Sequence, residues 1–185
     1  MRRSREDAAE TRRNIVEAAS RLFRARGVAE VGVAETMNAL GLTVGGFYKH
    51  FRSKDALVAE AIEAASLETT ASLAADGDGD ARRAAFAAYL SDAHVANPAY
   101  GCPVAALAGE AAHGGGAERE AMRQAIERAL AGLGLERAKG ERERRRLLAG
   151  FATAVGAVVL ARALSGAKIG DELIGAVRAE LLGEA

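Results

Sequence analysis

Val33-Ala34-Glu35-Thr36-Met37-Asn38-Ala39-Leu40-Gly41-Leu42-Thr43-Val44-Gly45-Gly46-Phe47-Tyr48-Lys49-His50-Phe51 is the stretch on which the fold turns. Val33 to Leu40 reads as one short helix, Gly41-Leu42-Thr43 breaks it, and Val44 to Phe51 reads as a second. That is the spacing of a helix-turn-helix. Gly41 permits the turn and Leu42 can bury itself between the helices. Thr43 falls at the N-cap of the second helix, where its hydroxyl and nearby free N–H groups suit a phosphate oxygen. The adjacent Gly45 and Gly46 cost about 2 kcal/mol in helix propensity relative to alanine. A helix keeps such a pair when something must approach its backbone closely.

Working outward, Thr11 to Arg26 predicts an amphipathic helix. Ile15, Ala18, Ala19, Leu22 and Phe23 share one face, and Gly27 stops the segment. On the other side, Ser53 is a natural N-cap for a helix running to about Ala75, with Asp55 in its first turn. That helix carries Leu57, Val58, Ala61, Ile62 and Ala65 inward. Asp76-Gly77-Asp78-Gly79-Asp80 reads as a polar hinge. Helical stretches follow at Ala81–Ala96, Val104–Ala112, Ala117–Leu133 and Glu141–Leu164, and Ile169, Leu173, Ile174, Val177 and Leu181 define a last one. The expectation is an all-α fold of about nine helices. A helix-turn-helix domain over residues 1–53 precedes a helical body over 54–185.

Composition agrees. Half of the 185 residues are hydrophobic, but 45 of them are alanine, with five Phe, three Tyr and no Trp. Alanine is the best helix former and β-branched and aromatic residues are sparse, so an all-β fold is excluded. The single cysteine, Cys102, excludes an intrachain disulfide framework and any cysteine-rich zinc site. The three histidines are too scattered in sequence to propose a metal site, and no cofactor motif appears. No nucleophile–base pair or carboxylate pair stands at a usable spacing, so an enzyme is not expected. Met1 to Arg5 has charges but no apolar stretch behind it, and the longest uncharged apolar run, Leu147 to Ala161, falls short of the roughly 20 residues a bilayer requires. A cytoplasmic protein without a membrane segment is expected.

The net charge of zero hides an asymmetry. Residues 1–54 carry 11 Lys/Arg against 6 Asp/Glu, whereas residues 55–185 carry 14 against 19. A basic N-terminal third on an acidic body points to a polyanion-binding module joined to something else. Arg2, Arg3 and Arg5 could reach a minor groove as an arm, or be a solvated tail.

Thr11-Arg12-Arg13-Asn14-Ile15 through Gly27, followed by Leu42-Thr43-Val44-Gly45-Gly46-Phe47-Tyr48-Lys49-His50-Phe51-Arg52-Ser53-Lys54-Asp55-Ala56-Leu57, resembles the N-terminal domain of TetR-family transcriptional regulators. The Tyr-x-His-Phe-x-Ser-Lys segment is its most specific part. The resemblance implies an all-helical homodimer that binds palindromic double-stranded operator DNA and releases it when a small-molecule effector enters the C-terminal domain. By position it implies phosphate contacts from Thr43, Tyr48, His50 and Lys54. Val44 belongs to the same DNA-facing segment, and Gly45, Gly46 and Lys49 would face base edges or the adjoining backbone. Phe47 and Phe51 would pack the recognition helix onto its neighbours. The chain departs from the family pattern at Val31-Gly32-Val33, where a hydroxyl cap is usual, and at Gly46, where Thr or Ser is common.

In the body, Phe86, Tyr89, His94, Tyr100, Cys102 and Met122 are distinctive residues in an Ala-rich setting, and they are the candidate ligand contacts. Each could equally be core filling. Cys102 at a helix start could be a sensing thiol or a buried inert one. Leu147 to Ala161 is apolar around its circumference, so one side needs a partner. Leu148, Phe151, Val155, Gly156 and Val159, with Leu173, Val177 and Leu181 of the last helix, are the expected faces of an intersubunit four-helix bundle. A helical small-molecule carrier, or an interaction module without operator binding, is the competing reading.

Overall fold

Alanine and straight-chain polar residues fold into helices throughout the described residues, 5–71 and 79–183, of the computed structural model. Ten α-helices follow in order: α1 Arg5–Arg26, α2 Val33–Asn38, α3 Val44–Phe47, α4 Lys54–Ala71, α5 Gly79–Tyr89, α6 Asp92–Ala96, α7 Pro103–His113, α8 Gly116–Gly132, α9 Glu141–Ala163 and α10 Lys168–Leu182. Short 3₁₀ turns lie at Pro98–Tyr100 and Leu135–Arg137. The all-helical expectation holds, with one helix more than counted. The extra helix comes from Ala81–Ala96, which breaks at Leu90–Ser91, where the Ser91 hydroxyl accepts from the His94 N–H and starts α6. Part of the expected hinge (76–78), the expected last turn of α4 (72–75), and Arg2 and Arg3 lie outside the described residues.

Two buried clusters organise the chain. The first joins Ile15, Ala19 and Phe23 of α1 to Met37, Phe47 and Phe51, then through Leu57, Val58, Ala61 and Ile62 of α4 to Leu107 of α7 and Met122 and Ala125 of α8. The inward stripe of α4 therefore packs into both halves of the chain, and α4 lies along both α1 and α8. The second joins Phe86 and Leu90 to Ala154, Ala157, Val158 and Ala161 of α9 and Ile174 of α10. By length and composition α9 could cross a membrane, but a third of its most apolar stretch is buried in the fold.

Candidate nucleic-acid interface and ligand cavity

The turn between α2 and α3 is built as the sequence requires. Gly41 has φ +66°, a left-handed backbone that favours glycine, and the Leu42 N–H closes back onto the Met37 carbonyl at 2.9 Å. Phe47 is fully buried, and its ring stacks on Phe51 at 5.4 Å. Arg12 of α1 lies over the Phe51 ring at 4.1 Å and donates to the His50 carbonyl and the Glu60 carboxylate. These contacts hold the inner side of α3 and the residues after it, and leave the outer side exposed.

That outer side holds most of the expected DNA contacts. Thr43, Val44, Gly45, Tyr48 and Lys49 are exposed, Tyr48 by 70%, while Gly46 and His50 are half-buried. Thr43 occupies the N-cap of α3 without a capping hydrogen bond from its side chain. A Cβ at Gly45 would meet nothing within 4 Å, and one at Gly46 only ordinary contacts with Met37 and Thr43. Packing inside the chain therefore does not demand the glycine pair. Gly32 caps α2 with no side-chain oxygen, so the usual hydroxyl is missing there.

Lys54 differs from the rest. It is half-buried, and its ammonium donates to the Val28 carbonyl at 2.6 Å, tying the start of α4 to the turn after α1. Two of its three donors are left for a phosphate. Ser53 does cap α4, accepting from the Ala56 N–H at 3.1 Å.

Behind this face the same turn is gripped by the body. The Glu110 carboxylate of α7 accepts from the Val28 and Ala29 N–H groups at 2.9 and 3.1 Å. Arg24, whose side chain is 1% exposed, donates to the Gly101 carbonyl and to Glu68, both at 2.8 Å. These partners lie 77 and 44 residues away, so no local pattern announces them.

Between the two clusters lies a cavity of about 520 Å³, well within the range of small-molecule sites. Phe86, Tyr89, His94, Tyr100 and Cys102 line it. Met122 does not, being packed into the first cluster. The sequence reading missed Ser66, Thr69 and Thr70 of α4, and Phe151, which turns inward to the cavity. Their signal was faint, because α4 reads as a plain core helix. The His94 ring sits 4.5 Å from Tyr89; its Nε2 accepts from the Cys102 N–H at 3.0 Å while Nδ1 meets the Tyr89 carbonyl. That pairing places the ring proton on Nδ1. Burial above all, with the Arg162 charge adding to it, holds His94 below its ordinary 6.5, against the opposing Tyr89 hydrogen bond.

A lowered folded value means that the unfolded chain binds the proton more readily. The stability so contributed is full above pH 6.5 and is lost as pH falls through the lowered value. His94→Gln should therefore flatten the stability–pH curve below about pH 6.5. Denaturant titrations at stepped pH check this, and an unchanged slope in the variant would exclude His94 as its source.

The expected dimer residues divide. Leu148 and Val159 are exposed, along with Leu160 and Ile169, and Gly156 has open space around it. Phe151, Val155, Leu173, Val177 and Leu181 are partly buried against the chain's own clusters.

A short, buttressed α3 with an exposed glycine-bearing face defines a helix-turn-helix protein, and the comparisons place it among relatives. Residues 15–61 match the model of the bacterial regulatory proteins, tetR family. The regulator TtgR of Pseudomonas putida is 47% identical over 58 residues, 31% of this chain and 28% of that protein, and AcrR of Shigella flexneri is 39% identical over 59 residues, 32% and 27%. The matched segment thus spans under a third of these curated relatives. Over nearly the whole length, the fold resembles E. coli NemR (TM-score 0.73, 23% identity, 94% of this chain and 96% of that one). It also resembles a TetR regulator from Legionella pneumophila (0.76, 16%, 98% and 97%). The N-terminal domain is a tetR-family domain, on a chain with the fold of TetR-family regulators.

Proposed function

We propose that the protein is a homodimeric transcriptional regulator, a repressor released from palindromic operator DNA by a small-molecule effector. The observation that carries this is the one-turn helix α3 and its flanks: Thr43 before it and Tyr48 and Lys49 after it are exposed beside backbone thinned by two glycines. Tyr48, Thr43 and Lys54 suit phosphates, while Lys49 can reach a guanine edge. The cavity supports the effector reading, and the exposed apolar strip of α9 supports the dimer. Arg24 and Glu110 make α7, whose first turn lines the cavity, the connection between effector and DNA-binding domain.

The test is binding to duplex DNA across a salt series. Each phosphate neutralised contributes about 0.9 to the log–log slope, so a two-headed regulator should show a slope of several units. It should also select a palindromic sequence from random duplexes. A carrier or interaction module would show a slope near zero and no selected site, and that result would refute the reading.

A further inference from the structure

Val44 opens α3 with an apolar side chain that the fold does not use. It is 42% exposed and belongs to neither buried cluster. The other large apolar side chains left open among the described residues, Tyr48 apart, lie on the body rather than on the helix-turn-helix. Tyr48 ends in a hydroxyl that suits a phosphate, whereas Val44 has no polar atom to offer.

Local preference does not account for this valine. A β-branched residue is less suited to a helix than alanine or a straight-chain polar residue, and left in water its side chain stabilises nothing. What the branch supplies is stiffness. Valine in a helix keeps essentially one χ1 rotamer, so its two methyls point in one direction. Beside it stands Gly45, where even an added Cβ would meet nothing within 4 Å. The flat edge of a base can therefore come up against the valine without obstruction.

In a helix-turn-helix, the leading residues of the second helix are those that reach base edges. Base edges in the major groove carry hydrogen-bond donors and acceptors, and one apolar group, the thymine 5-methyl. A side chain that makes no hydrogen bonds can gain only from the last of these.

We propose that Val44 is a specificity-determining residue whose methyls pack on a thymine 5-methyl in each half-site of the operator. The inference rests on the operator-binding reading above. With Lys49 at a guanine edge, each half-site is then read through a polar contact and an apolar one.

Deoxyuridine is thymidine without that methyl and pairs in the same way, so it isolates the contact. The full chain is titrated with the palindrome selected from random duplexes, with symmetric thymine pairs replaced by deoxyuridine one pair at a time. At one pair, wild type should lose about fourfold per half-site, the worth of one buried methyl, and so about fifteenfold in all. Val44→Ala should bind the thymine and deoxyuridine duplexes within about twofold of each other, and both about as wild type binds the deoxyuridine duplex. Its salt slope should match that of wild type, because no phosphate contact has changed. A selected palindrome with no thymine in its half-sites, or a scan in which no pair costs wild type more than about twofold, would overturn the assignment. A deoxyuridine penalty that persists undiminished in Val44→Ala would overturn it too, since another group would then hold the methyl. Each of these results leaves the protein an operator-binding regulator. A chain that selects no duplex and shows no salt dependence would overturn that reading, and the inference with it.

Discussion

Gly45→Leu should leave the protein folded and remove its hold on duplex DNA. The space around a Gly45 Cβ is open, so the leucine side chain meets no protein atom on entering. Leaving glycine inside a helix also relieves a propensity cost of up to about 1 kcal/mol. Thermal stability should stay level or rise slightly. On the DNA side the same side chain stands between α3 and the groove floor, and it moves every contact on the helix outward together. Affinity for selected and random duplexes should fall on the order of a hundredfold, or about 2.8 kcal/mol at 1.4 kcal/mol per decade. Binding isotherms on both duplexes, paired with melting curves, read the two effects separately. A variant that binds like wild type would mean α3 does not enter the groove.

Leu160→Glu should give monomers. Leu160 is half exposed on α9 next to Val159, with Leu148 on the same helix and Ile169 on α10 also open. A strip of this kind on a single chain marks an interaction surface. In a twofold interface the patch meets itself, so one substitution enters twice and sets two carboxylates near one another. Like charges so placed cost several kcal/mol, which weakens association by roughly a thousandfold. Sedimentation equilibrium measures it, with helical circular dichroism as the folding control. Gly156→Glu offers a second variant because its surroundings are open. Ala157 does not, since it is 3% exposed and a charge there would break the core. A dimer unchanged in both variants would remove this face from the interface.

What could be read in the sequence was what short-range chemistry decides. Gly41, Phe47 and Phe51 announce the turn and the inner face of α3 because backbone freedom and apolar spacing act within a few residues. The break between α5 and α6 was harder to see. An alanine-rich run favours helix on both sides of Leu90, and only Ser91 before Asp92 marks the restart. Lys54 shows where local reasoning ends: its position fits a phosphate contact, but its partner Val28 is 26 residues away. Phe151 shows the same limit on α9. That helix is apolar on several sides, so the sequence alone does not say which apolar residue faces the cavity and which faces a partner.

The grip of α7 on the turn after α1 has a mechanical consequence. Gly101, just before α7, is held by Arg24, and Glu110, near its other end, is held by Val28 and Ala29. Between them run seven helical steps, Pro103 to Glu110, roughly 10 Å of a helix that rises 1.5 Å per residue. A rod pinned at one point can swivel without turning what it is fixed to. Pinned at two, it passes on its orientation as well as its position. A molecule that rolls α7 by a few degrees therefore aims α1, and the turn leading into α2, in a new direction. Under the function proposed above, reciprocity would run the same way: if DNA fixes this direction it also fixes the shape of the cavity wall, and each ligand would alter the affinity of the other by the same factor.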